Sequence, residues 1–149
     1  MKSFFFLVLG LLIIFGSVFL VFQRLMTEES EVRTIRVNDT EIRVEVAETL
    51  ESRQTGLSGR EFLPEGTGML FVFEDLARHG FWMKDMNFAI DIIWTDGEGR
   101  VVDIAKEVSP DTFPEVFYPK QLAKYVLELN AGDAEKFGID TGVKLYLDR

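Results

Sequence analysis

Between Gly80 and Trp94 the chain places both of its tryptophans and a few isolated charges inside a run of apolar side chains. If residues 81–84 are a strand, Trp82 and Lys84 share one face while Phe81, Met83 and Asp85 share the other, and a strand over 89–95 sets Asp91 opposite Ile90, Ile92 and Trp94. An unpaired ion among such neighbours is costly to desolvate, so Lys84 and Asp91 are expected either to face each other across a hairpin or to edge a wet pocket. With Asp85 and Asn87 nearby, and Arg53, Arg60 and Glu128 joining from elsewhere, they make a polar set on an aromatic floor. That composition suits a sugar or another small polar ligand. The competing reading is an ion-pair and hydrogen-bond cluster that only fixes strand register.

Other chemistries find less support. Asp85 and Asp91 would serve an envelope hydrolase only if their carboxylates flanked a glycosidic bond, about 5 to 9.5 Å apart. The chain has no cysteine and one histidine, His79, which removes thiolate nucleophiles, disulfides and cysteine zinc sites and leaves any metal centre an all-oxygen or one-histidine set. No metal and no cofactor is therefore expected, and His79 reads as a turn residue. Ser58 and Ser109 lack the surroundings of an activated nucleophile, and Gly97 and Gly99 belong to a hairpin turn rather than a phosphate loop. The formal charge is −9, and of the 16 basic residues only Lys2 and Arg24 precede Glu28, so the remainder is more acidic still. Such a surface repels phosphate backbones and excludes nucleic acid as the expected partner.

The elements that would position these residues follow an apolar segment. Phe4 to Phe22 carries no charge; as a helix it would be about 28 Å long, close to the roughly 30 Å hydrocarbon thickness of a bilayer. It is longer than the apolar core of a signal peptide, and no small-x-small cleavage site follows it, so an uncleaved signal anchor over residues 4–22 is expected. With only three residues before the span and a whole domain after it, the C-terminal domain is expected outside the cytoplasm. Residues 23–32 read as a solvated linker, and residues 33–149 as one domain of ordinary size.

In that domain Ile35 and Val37, then Ile42, Val44 and Val46, alternate with polar residues on either side of Asn38-Asp39-Thr40, the pattern of a hairpin with one wet face. Thr49 caps a short helix through about Thr55, which Gly56 or Gly59 ends. Met69 to Phe73 is continuously apolar and should be a central strand. Strands over 81–84, 89–95 and 101–106 follow, the last two joined by Asp96-Gly97-Glu98-Gly99. Pro110, Pro114 and Pro119, interleaved with Phe113, Phe117 and Tyr118, mark an extended loop that could dock a partner or lipid headgroups. Tyr125 to Leu129 is a strand with Tyr125, Leu127 and Leu129 on one face and Glu128 on the other. A helical turn at 133–137 and a closing strand at 143–147 complete the chain. The expected fold is a mainly β, single antiparallel sandwich or barrel with short helices, preceded by one transmembrane helix.

Five motifs, in this order and spacing, resemble those of the domain-of-unknown-function 192 family: Arg53-Gln54-Thr55-Gly56-Leu57-Ser58-Gly59-Arg60, Gly68-Met69-Leu70-Phe71-Val72-Phe73, Phe81-Trp82-Met83-Lys84, Asp91-Ile92-Ile93 and Tyr125-Val126-Leu127-Glu128-Leu129-Asn130-Ala131-Gly132. The resemblance covers about Thr34 to Leu147. It implies a compact, mainly β domain with short helices, often exported or membrane-tethered, and no established activity. Ser58, Asp85, Ala89 and Val143 depart from the family pattern, Asp85 by setting a negative charge beside Lys84. The function expected is a membrane-anchored extracytoplasmic domain binding a small polar or carbohydrate-like ligand or an envelope partner. The alternatives are a structural or protein-interaction module and the hydrolase considered above.

Overall fold

Period-two runs and capped turns become, in the computed structural model, which describes residues 31–147, the strands β1 (Val32–Val37), β2 (Thr40–Ala47), β3 (Thr67–Ala77), β4 (Ile90–Thr95), β5 (Val101–Val108), β6 (Ala123–Asn130) and β7 (Tyr146–Leu147). Two short helices, α1 (Leu50–Thr55) and α2 (Asp133–Lys136), and one 3-10 turn (Pro110–Thr112) complete the regular structure of the described residues. The anchor expected at 4–22 and most of the linker lie outside the described residues; among the described residues no helix is long and apolar enough to cross a membrane. Val32 opens β1.

The seven strands form one sheet in the order β5-β4-β6-β3-β2-β1-β7, with β3 at its centre. That is where an apolar run with no wet face belongs. All neighbours are antiparallel except β2 and β3, which run parallel with Val44 opposite Gly68 and Val46 opposite Leu70. The all-antiparallel expectation is corrected here. A parallel pair needs a crossover, and the segment between β2 and β3, with α1 inside it, supplies one that periodicity alone does not reveal.

The sheet curls into a half-barrel whose edges are tied by the C-terminal segment. Tyr146 and Leu147 pair with Arg36 and Ile35 of β1, while the Val101 amide donates to Val143 O and the Leu145 amide to Gly99 O, each at 2.8 Å. The expected closing strand is shorter than 143–147, with Lys144 joined to Arg100 by a single bridge. Gly99 has φ +81°, and a Cβ there would stand 2.4 Å from Leu145 O. Only glycine permits this approach.

Both faces of the sheet are covered. Inside the curl Ile35, Val37, Ile42, Val44, Leu70, Ile93, Leu127 and Leu129 pack together. On the outer face Met69, Phe71, Ile92, Trp94 and Val126 pack under Leu57, Leu63 and Met83. The expected strand over 81–84 does not form: Phe81 makes one bridge to Phe117, and residues 82–89 cross the outer face as a loop. The apolar alternation there reflects a covering segment that buries Met83 and exposes Trp82, not a ladder.

Candidate functional site

Strand alternation along β6 turns Leu127 and Leu129 inward and Glu128 outward, as the spacing predicts. On the outer face Glu128 lies between Met69 of β3 and Ile92 of β4. It is 5 % exposed, and its carboxyl makes no hydrogen bond to any described residue. Burial pushes its pKa up to about 8, against the pull of the Arg60 charge. The group is therefore mainly a neutral acid at pH 7, able to donate one hydrogen bond and accept others.

Glu128 lines a cavity of about 250 Å³. The capped start of α1, where Thr49 and Ser52 satisfy each other's backbone amides, fixes a wall of Leu50, Arg53 and Gln54. Gly56, at φ +49°, then turns the chain over Phe71, and a Cβ there would approach that ring to 3.3 Å. Phe71, Phe73, Phe81, Trp82 and Met86 supply the apolar lining. Their rings are locked edge to face: Phe71 to Phe81 at 4.9 Å and Phe81 to Trp94 at 6.2 Å between centroids. Trp94 Nε1 donates to His79 O at 2.9 Å, and the His79 ring stacks on Phe73 at 3.6 Å. His79 is thus a packing residue in the loop after β3.

Arg53 is held on three sides. Its Nη1 donates to Val72 O at 2.9 Å and to Glu48 O at 2.5 Å, and its guanidinium lies 5.3 Å from the Phe73 centroid. Nε and Nη2 bond to no described residue. Arg60 stands outside the cavity and is committed to Glu45, its Nη1 and Nη2 each donating at 2.6 Å. That hydrogen bonding raises the Arg60 pKa despite partial burial.

The remaining expected site residues build the roof. Asn87 Nδ2 donates to Arg60 O at 2.8 Å, Ser58 Oγ to Lys84 O at 2.9 Å, and the Gly59 amide to Asp85 O at 2.7 Å. These bonds zip residues 58–60 to residues 84–87 over the outer face. Asp85 sits at φ +55°, a conformation that Asp and Asn share more readily than most residues.

The Lys84 to Asp91 pairing expected from a hairpin is not formed. The Lys84 side chain is exposed and takes part in no ion pair among the described residues. Asp91 is 1 % exposed, and its oxygens accept from the Glu107 amide at 2.7 Å and the Ala134 amide at 2.9 Å. Neither Asp85 nor Asp91 lines the cavity. Of the proline loop, Phe117 is fixed by two backbone bonds to Phe81. Phe113 and Tyr118 stay exposed, with Phe113 edge-on to Trp82 at 5.8 Å.

Arg53, Trp82 and Glu128, which the sequence singles out, line this cavity together with Phe71, Phe73, Phe81 and Met86, whose apolar character reads as core. Gly80 was a usable signal: a Cβ there would lie 2.5 Å from the Tyr118 ring, so the loop beside the cavity requires glycine. A larger opening of about 670 Å³ at the end of the curl is lined by Arg33, Arg36, Lys144, Tyr125 and Tyr146 among others. Arg33 there is paired with Glu31, and Arg36 and Lys144 lie over Tyr146. The smaller cavity, with a carboxyl that no described residue bonds, is the candidate site.

Comparison with known proteins agrees with the fold. A model of the family described as DUF192, Uncharacterized ACR, matches residues 33–147. No curated protein matches the chain. Among solved structures, one from Sinorhizobium meliloti 1021, described as a candidate transcription regulator, is similar with a TM-score of 0.74 and 26% identity over 79% of this chain and 95% of its own. Another, from Novosphingobium aromaticivorans DSM 12444 and described as a protein of unknown function, has a TM-score of 0.75 and 26% identity over 81% of this chain and 89% of its own.

Proposed function

We propose, for a chain that belongs to the uncharacterised DUF192 family, a membrane-anchored domain that binds a small polar ligand in the cavity beside Glu128, outside the cytoplasm. The observation that carries the reading is Glu128 itself: a carboxyl 5 % exposed and unbonded, at a cavity walled by aromatic rings. The Glu128 carboxyl opens on the cavity with hydrogen-bonding capacity that no described residue uses, so a ligand seated there can pair with it. Anchoring rests on the uncharged stretch from Phe4 to Phe22. The acidic surface argues against a nucleic-acid role.

A thermal-shift screen of the full chain in detergent against sugars, amino acids, organic acids and nucleotides tests the binding. A ligand that binds only the folded state raises the melting temperature. The expected result is a specific shift that Trp82→Ala removes while the variant stays folded. A panel with no shift would turn the reading to a protein-interaction module, which the exposed Trp82, Phe113 and Tyr118 favour. Alkaline-carbonate extraction of membranes tests the anchor: release of the chain into the soluble fraction would overturn it.

A further inference from the structure

Arg53 presents a fixed guanidinium with one edge that no described residue occupies. Nη1 is spent on Val72 O and Glu48 O, and the Phe73 ring lies against the guanidinium. What remains is the Nε to Nη2 side, two parallel donors that match the two oxygens of a carboxylate. Arg53 and Glu128 line the same cavity, whose apolar lining includes Leu57, Phe71, Phe73 and Met86.

We propose that the cavity takes a small carboxylate anion with an apolar body, whose oxygens accept from the Nε to Nη2 edge of Arg53 and from the Glu128 carboxyl. The inference rests on the small-ligand reading above and names the ligand class. The charges around Glu128 favour an anion. From α1 comes Arg53, and from the segment after α1 comes Arg60, whose charge is balanced by Glu45 of β2. The flanking residues Met69 on β3 and Ile92 on β4 are uncharged, and Lys84 and Asp85 of the covering loop are exposed. With Glu128 neutral, the one charged side chain among the described residues that line the cavity is Arg53, and the Arg60 charge outside it also acts on Glu128. A cation would meet the Arg53 charge directly, whereas an anion is attracted by it and receives the Glu128 proton as a hydrogen bond.

The same arrangement sets a pH dependence. Glu128 titrates at about 8; below that it donates, and above it an ionised Glu128 repels the ligand. Binding that requires the proton weakens by about tenfold per pH unit above the transition. A bound anion favours the protonated form and moves the transition upward.

The test is calorimetric titration of the full chain in detergent with acetate, butyrate and phenylacetate, each beside its amide and the amine of matching length, at pH 6.5 and 9.5. The expected result is a carboxylate bound at pH 6.5 at least tenfold more tightly than its amide or amine, with the preference lost at pH 9.5. Glu128→Gln, which keeps a donor, should retain carboxylate binding and abolish its pH dependence. Arg53→Lys should weaken the carboxylate more than the amide, and it keeps a cation at the α1 wall should removal of all charge there prevent folding. Binding of an amide or amine equal to or tighter than the carboxylate, and sensitive to Trp82→Ala, overturns the carboxylate class and leaves the small-ligand reading standing. No binding by any of the nine compounds also overturns the class, and the reading falls with it only if the wider thermal-shift screen yields no shift that Trp82→Ala removes.

Discussion

Asp91 reaches across the end of the half-barrel to the Ala134 amide, its Oδ2 accepting at 2.9 Å across 43 positions of sequence. Its other oxygen accepts from Glu107, a non-glycine residue at φ +51°. The aspartate that the sequence offers as a site residue is thus a joint: one carboxylate satisfies the first turn of α2 and the irregular end of β5, where the β4 to β5 register shifts.

Asp91→Ala should destabilise the domain by about 3 kcal/mol, because two amides lose a charged acceptor and hydrogen bonds to charged groups contribute about 1.5 to 3 kcal/mol each. Asp91→Asn should cost less, since one amide oxygen remains to accept. Chemical denaturation of both variants measures this. A loss below about 1 kcal/mol for Asp91→Ala would contradict the joint.

Lys84→Ala, by contrast, should change stability by no more than about 0.5 kcal/mol, the usual range for an exposed side chain without a partner. A pairing with Asp91 would have predicted a loss of several kcal/mol. Melting temperatures of the two single variants and the double variant distinguish the cases, and additivity is expected.

Glu128 should make the domain less stable as pH rises. Its pKa is about 8 in the folded chain against a reference of 4.5, so between those values the unfolded chain gives up a proton that the folded chain keeps, and stability falls with pH. Below about 4.5 both states hold the proton and the group contributes no slope. The loss across the window is on the order of a few kcal/mol. Glu128→Gln should flatten this part of the stability profile and melt higher than the parent at pH 8. Parallel pH profiles for the two proteins would count against the buried acid.

Gly99→Ala should loosen the closure of the sheet. The added Cβ would meet Leu145 O at 2.4 Å, on a backbone at φ +81°. We expect a loss of about 2 kcal/mol or more, from strain plus displacement of the closing segment. Amide exchange would report it locally, with the Leu145 and Val101 amides losing protection first. Unchanged protection at both would show that the C-terminal segment does not hold the edges together.

What local chemistry controls was legible in the sequence. The cap at Thr49, the stop at Gly56, the turn from Asp96 to Gly99 and the placement of Glu128 opposite Leu127 and Leu129 all depend on residues within a few positions of one another. The central place of β3 followed from an apolar run with no polar face. Tertiary structure alone decided which distant groups meet: the parallel pairing of β2 with β3, the covering loop where a strand was expected at 81–84, and the partners of Asp91. The Lys84 reading failed for the same reason, since alternation reports which side a residue faces but not whether a sheet or a covering segment lies beneath it. Backbone partners far along the chain leave no periodic trace, because any amide can satisfy a carboxylate. The cavity likewise exists only where α1, β3, β6 and the 80–86 loop converge, and no stretch of sequence shows that Arg53 and Glu128 line one cavity.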